Sequence, residues 1–74
     1  MANTKALEEL ARLDLHIENC GRRIVEQTER LESLRQCGWN TDDSESLLRN
    51  LITSLRALDQ LRKTVVKEVD EADH

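Results

Sequence analysis

The stretch QCGWNTDD, residues 36–43, separates two long segments in which leucine, isoleucine and valine recur every three or four positions. Gly38 stands where a helix commonly ends, because glycine readily takes the left-handed conformation that closes a last helical turn. The sequence therefore predicts a turn over residues 37–41.

The residues after this turn predict the start of a second helix. Thr41 can serve as its N-cap, and Asp42 and Asp43 then lie in the first turn, where carboxylates interact favourably with the helix dipole. A one-residue alternative makes Asp42 the N-cap, with Glu45 as its capping-box partner.

Before the turn, apolar residues form two rows with a seven-residue repeat. This is the a/d pattern of helices that pack along a seam, and it predicts a helix over residues 4–36. Gly21 lies inside this helix and costs about 1 kcal/mol relative to alanine, so we expect tertiary contacts to cover it. The rows are Leu10, Ile17, Ile24 and Leu31, and, three residues on, Ala6, Leu13, Cys20, Gln27 and Leu34.

After the turn, the same repeat predicts a helix over residues 42–71. Two helices of about 45 Å each, joined by a short turn, are expected to pack antiparallel. In that register Arg62 can reach Asp14 or Glu18, and Gln27 faces the hydroxyl groups of Thr53 and Ser54. The second pair of rows is Leu48, Leu55, Arg62 and Val69, and Leu51, Leu58, Val65 and Ala72.

The apolar surface of the second helix is wider than an a/d seam, because Leu47, Ile52, Leu61 and Val66 flank the two rows. A lone hairpin would leave much of it in water, and exposed apolar patches usually mark interfaces. We therefore expect an all-α antiparallel hairpin that pairs as a homodimeric four-helix bundle. The alternative is a small regulatory or adaptor hairpin that docks on helices of another protein. The expected interface residues are Leu10, Leu13, Ile17, Ile24, Leu31, Leu48, Leu51, Leu55, Leu58 and Val65.

The composition agrees with a helical bundle and disfavours several classes of partner. The 74 residues include 35 % charged residues, 1 % aromatic residues and no proline. The net charge is −4, with acidic and basic residues interspersed, which disfavours binding to nucleic acid or to an anionic membrane. No apolar run reaches the length of a signal peptide or membrane span, so we expect a cytoplasmic protein.

The histidine and cysteine residues offer little chemistry. Cys20 and Cys37 are 17 positions apart on one predicted helix, roughly 25 Å, which is too far for a disulfide. His16 and Cys20 have the spacing of two metal ligands, but no third ligand follows at a useful spacing, and His74 lies at the chain end. His16 also invites comparison with histidine phosphotransfer domains, although the lysine typical of those sites is missing. A phosphotransfer or metal-binding bundle centred on His16 is thus a distant alternative.

No catalytic motif or glycine-rich phosphate loop is present, so we expect neither enzymatic activity nor a cofactor. Trp39 is the one aromatic residue, and it lies in the predicted turn. Two interpretations remain open for it. The indole either packs over the end of the bundle, onto Leu34 and Leu47, or stays exposed as a contact for a partner.

A further pattern within residues 16–62 consists of His16, Ile17, Gly21, Ile24, Gln27, Leu31, Leu34, Gly38, Thr41, Leu47, Leu48 and Leu55. In this pattern the chain resembles a group of short uncharacterised helical-hairpin proteins of rhizobia and related alphaproteobacteria. The resemblance implies a hairpin fold in a bacterial cytoplasm and no particular activity. It departs at Asn40 and Trp39, where the group has Asp and a polar residue.

Overall fold

The computed structural model describes residues 4–72 and, of Ala72, the backbone alone. Helix α1 spans Thr4–Gln36 and helix α2 spans Asp42–Ala72, and no strand occurs in this part of the chain. The helices pack against each other as an antiparallel pair with principal extents of 58 × 14 × 12 Å. The predicted all-α hairpin is therefore confirmed. His74 and the side chain of Ala72 lie outside the described part.

The C-terminus of α1 closes as a Schellman motif. The amide of Trp39 donates to the carbonyl of Leu34 at 3.0 Å, and the amide of Gly38 donates to that of Arg35 at 3.1 Å. Gly38 has a φ of 72°, the left-handed conformation that this motif requires and that a residue with a Cβ adopts only with strain. Gly38 therefore ends α1 as its position in the sequence predicts.

The side chain that caps α2 differs from both predicted alternatives. Oδ1 of Asn40 accepts a hydrogen bond from the amide of Asp42 at 2.8 Å, while Thr41 contributes its backbone carbonyl, which accepts from the amide of Glu45 at 2.9 Å. Thr41 thus occupies the N-cap position, but the amide of Asp42 at the start of α2 is paired with the side chain of Asn40, two residues earlier.

The buried core is a narrow strip along the contact between the helices. Its densest part is near the open end of the hairpin, where Ala6, Leu13 and Val65 cluster with Leu10, Leu58 and Val69 packed around them. Farther toward the turn, the thiol of Cys20 donates to the carbonyl of Leu51 at 3.3 Å. Within residues 4–72, the buried apolar residues are Ala6, Leu13, Cys20, Leu31, Leu51 and Val65.

The expectations for Gly21 and Gln27 are wrong for this chain, and of the two interpretations of Trp39 the packed one is excluded. A Cβ added at Gly21 would meet nothing within 4 Å, so within residues 4–72 no tertiary contact covers this position. Gln27 is half-buried, yet within residues 4–72 no hydrogen bond joins it to Thr53 or Ser54, and the Thr53 hydroxyl donates to the carbonyl of Arg49 instead. Trp39 is 69 % exposed, so the indole does not pack over the end of the hairpin.

Candidate functional site

Two grooves run along the hairpin, one on each side of the contact between the helices, and their linings differ in character. The first groove is bordered by polar side chains and is lined by His16, Asn19, Cys20, Arg23, Leu51, Ser54 and Leu58. The second groove, nearer the turn, is lined by Leu31, Arg35, Glu45, Leu48, Arg49 and Ile52. The two linings share no residue, so they identify which heptad rows face each side of the hairpin.

The a/d rows divide between these two sides. The row with Cys20 lies toward the first groove, and five of the six buried apolar residues belong to it or to its counterpart on α2. The row with Leu31 and Leu48 lies toward the second groove, and nearly all of its apolar members are only half-buried. The helices are thus rotated so that the row with Cys20 is the more deeply buried, while the row with Leu48 lies nearer the surface.

We call this outward-facing surface the open face. Residues seven apart lie on one side of a packed helix, so the lining of the second groove extends along the whole hairpin. The open face consists of half-buried Leu10, Ile17, Ile24, Leu48, Leu55, Val66 and Val69 with exposed Leu7 and Ile52. Other exposed large apolar residues lie elsewhere, so the open face is distinguished by its continuity along both helices. They are Leu47 and Leu61 on the opposite flank, Leu15 and Val25 on the outer side of α1, and Trp39 in the turn.

Two ion pairs cross between the helices on the open face. Nε of Arg62 lies 2.6 Å from Oδ1 of Asp14, which confirms the predicted reach of Arg62 and selects Asp14 as its partner. At the turn end, a guanidinium nitrogen of Arg35 lies 3.1 Å from Oε1 of Glu45. All four side chains are between 38 % and 62 % exposed, so each pair adds little to stability and mainly fixes where charge lies on the face.

The two edges of the open face carry opposite charge. On α1, Glu18 and Glu32 lie in one row of the seven-residue repeat. Around the helix this row is next to the row of Gly21 and Arg35, on the side away from α2. On α2, the corresponding row consists of Asp42, Arg49, Arg56, Lys63 and Asp70, so it is basic over its three middle members and acidic at both ends. Arg49 lines the second groove. Glu18 also contacts Arg22 at 3.4 Å, whereas within residues 4–72 no ion-pair partner is present for Glu32, Arg49, Arg56 or Lys63.

The predicted interface residues fall into two groups. Leu13, Leu31, Leu51 and Val65 are buried within the chain, so they hold the hairpin together and have little surface left for a partner. The remaining six residues are half-buried. Five of them, all except Leu58, lie on the open face. The sequence marked Ile52 and Val66 as residues that flank the apolar rows, as it did Leu47 and Leu61, but it did not show that Ile52 and Val66 are on the same side of the hairpin as Leu7.

The residues with possible chemistry are not brought together. His16 is exposed beside the first groove, whereas Cys20 is buried and its thiol is engaged by the Leu51 carbonyl. Cys37 is exposed at the turn, and both cysteines are free thiols. Among residues 4–72, no group of three or more His, Cys, Asp or Glu side chains is placed to hold a metal ion.

No protein-family model matches this chain, and no curated protein or solved structure matches it either. Over residues 4–72, neither helix combines the length and the apolar character needed to cross a membrane. Function must therefore be inferred from the surface of the hairpin itself.

Proposed function

We propose that this protein is a non-enzymatic interaction module that associates with a second copy of itself through the open face, forming a four-helix bundle. The observation that carries this proposal is the row of half-buried leucine, isoleucine and valine side chains along one side of both helices. Helices in four-helix bundles bury a wider stripe than the a/d seam of a two-stranded coiled coil, and the open face supplies that extra width.

The size of the exposed surface supports the same conclusion. The chain exposes 5795 Å², whereas a compact monomer of 8.6 kDa exposes about 4,700 Å². The hairpin measures 58 × 14 × 12 Å, and its two helices are the only elements within residues 4–72, so no further element there covers the excess exposed surface. Pairing two open faces removes apolar surface from water on both copies at once, which is the main favourable term in association.

A pair of lysine substitutions tests the proposal. Ile52→Lys places a charge in the open face, and Leu15→Lys places the same charge on the outer side of α1, where Leu15 is 58 % exposed. We expect the native protein and the Leu15→Lys variant to be helical dimers by size-exclusion chromatography with light scattering, and Ile52→Lys to be monomeric at the same concentration. Equal behaviour of the two variants would exclude the open face as the interface.

A second candidate function is docking on helices of another protein as an adaptor or regulator. The exposed indole of Trp39 favours it, because a large aromatic side chain left in water at one end of a hairpin is typical of contact residues. The two functions are compatible, since Trp39 lies in the turn and outside the open face.

Two unbridged thiols further support a reducing compartment such as the cytoplasm.

A further inference from the structure

Two hairpins can bring their open faces together in two different ways. With the turns at the same end, α1 of each copy lies beside α2 of the other copy. With the turns at opposite ends, α1 lies beside α1 and α2 beside α2. Both arrangements are two-fold symmetric and bury the same face, so apolar area does not choose between them. The charged edges of the open face distinguish the two arrangements.

We propose that the second copy docks with its turn at the same end, so that the acidic edge of each α1 meets the basic edge of the other copy's α2. This inference rests on the proposed self-association and adds its geometry. Opposite charges at the rim of an interface favour one register, while like charges placed side by side disfavour the alternative.

The levels of the charges along the hairpin agree with this pairing. In the single chain, Cys20 shares a groove with Ser54, and Leu31 shares one with Arg49. A second copy with its turn at the same end repeats these levels. Glu18 therefore comes opposite Arg56 of the second copy, and Glu32 comes opposite Arg49 of the second copy. With the turns at opposite ends, the acidic edge would face the other acidic edge, and Arg56 would face Arg56.

The ion pair within the open face is compatible with the proposed arrangement. The Arg62–Asp14 pair lies in the half of the hairpin away from the turn. With both turns at one end, the two copies of this pair lie at the same level, so charged groups meet charged groups. In the opposite arrangement, each pair would face the second groove, where apolar Leu31, Leu48 and Ile52 lie beside charged Arg35, Glu45 and Arg49, so this pair alone does not choose between the arrangements.

Distance measurement between two labels tests the orientation. Cys37 is exposed at the turn and Cys20 is buried, so a spin label can be attached to Cys37 of the native protein and single labelling verified by mass spectrometry. With the turns at one end, the attachment points lie about 15 Å apart, the diagonal of a four-helix bundle with axes 8–10 Å apart. With the turns at opposite ends, they lie about 50 Å apart, the length of α1.

The outcomes separate the two proposals. A short distance in a dimer supports the inference. A dimer with the long distance overturns the orientation and leaves self-association standing. A labelled chain that sediments as a monomer and shows no dipolar coupling overturns both proposals.

A charge reversal provides a second test that does not depend on labels. The double variant Glu18→Arg with Glu32→Arg is expected to weaken the dimer about tenfold, because a basic edge of each α1 then faces the basic edge of the other copy's α2. The matched control is Glu8→Arg with Glu29→Arg, which makes the same change in net charge on the outer row of α1 and should leave the dissociation constant within about twofold. If both double variants dimerise as the native protein does, the same-end arrangement is wrong. That result fits the arrangement with the turns at opposite ends, in which the two α1 edges face each other and the substitutions replace one like-charged contact with another.

Discussion

Arg62 on α2 donates a hydrogen bond from Nε to Oδ1 of Asp14 on α1, at 2.6 Å, in the middle of an otherwise apolar row. Both side chains are about half exposed, so the pair is solvated, and its contribution to the free energy of unfolding is about 0.2–1 kcal/mol. A charged residue in an apolar row contributes less stabilisation from apolar burial than leucine would. Such residues often determine the register of helix packing rather than add stability.

Arg62→Leu is therefore expected to change the free energy of unfolding by less than about 1 kcal/mol while broadening the distribution of oligomers. Denaturant titration measures the first quantity and sedimentation velocity the second. Arg22→Leu is the control, because it removes an exposed pair with Glu18 that lies within α1 alone. A loss of stability well above 1 kcal/mol for Arg62→Leu would mean that the pair holds the hairpin together.

The cap of α2 gives a prediction that separates two neighbouring residues. Asn40→Ala removes the acceptor for the amide of Asp42 and should lower the free energy of unfolding by about 1 kcal/mol. Thr41→Ala keeps the backbone carbonyl that accepts from Glu45, so its effect should be smaller. Thermal unfolding of the two variants measures the difference, and the reverse order would show that the Thr41 hydroxyl is the cap.

The two thiols should react at very different rates. Cys37 is exposed, whereas Cys20 is 8 % exposed with its sulfur 3.3 Å from the Leu51 carbonyl. Modification of Cys20 requires local opening of the helix pair, so its rate should be at least about tenfold lower than that of Cys37 under native conditions and equal to it in denaturant. Mass spectrometry of quenched time points follows both reactions. Equal native rates would show that the seam near Leu51 opens freely.

Much of the fold was predictable because it depends on local signals. The seven-residue rows determine two helices, and Gly38 determines where the first one ends. The sequence also indicated that Arg62 would reach α1, since antiparallel pairing brings residues at equal distances from the turn together. These features need only periodicity and the length of the turn, and both can be read directly from the residues.

The open face was less predictable because periodicity defines rows without defining how far each helix is rotated. Rotation depends on which row packs best between the helices, and the small side chains of Ala6 and Cys20 are buried on that side. The exposure of Trp39 also lacked a signal, because an indole in a turn is equally compatible with packing and with contact to a partner. The hydroxyl of Thr53 bonds within its own helix, which the spacing from Gln27 could not indicate.

Gly21 offers a test of how closely the second copy approaches. It shares a row with Asp14 and Arg35 on the side of the open face, and space is open around it in the single chain. Gly21→Ala should raise the helicity of the monomer, since alanine favours a helix by about 1 kcal/mol, and should weaken dimerisation if a helix of the second copy packs there.

The control for this substitution is Thr53→Ala, which improves helix propensity on an exposed position of α2 outside the open face. Both variants are compared by circular dichroism and by their dimer dissociation constants. If Gly21→Ala strengthens the dimer as much as Thr53→Ala does, no close helix contact occurs at Gly21.

Self-association is tested most directly by sedimentation equilibrium of the untagged, reduced protein over a wide concentration range, with helicity followed in parallel. We predict a helical dimer that persists to low concentration and loses helicity as it dissociates, because the open face then returns to water. A well-folded helical monomer at every concentration would contradict the account, since the open face would then be stable without a second copy.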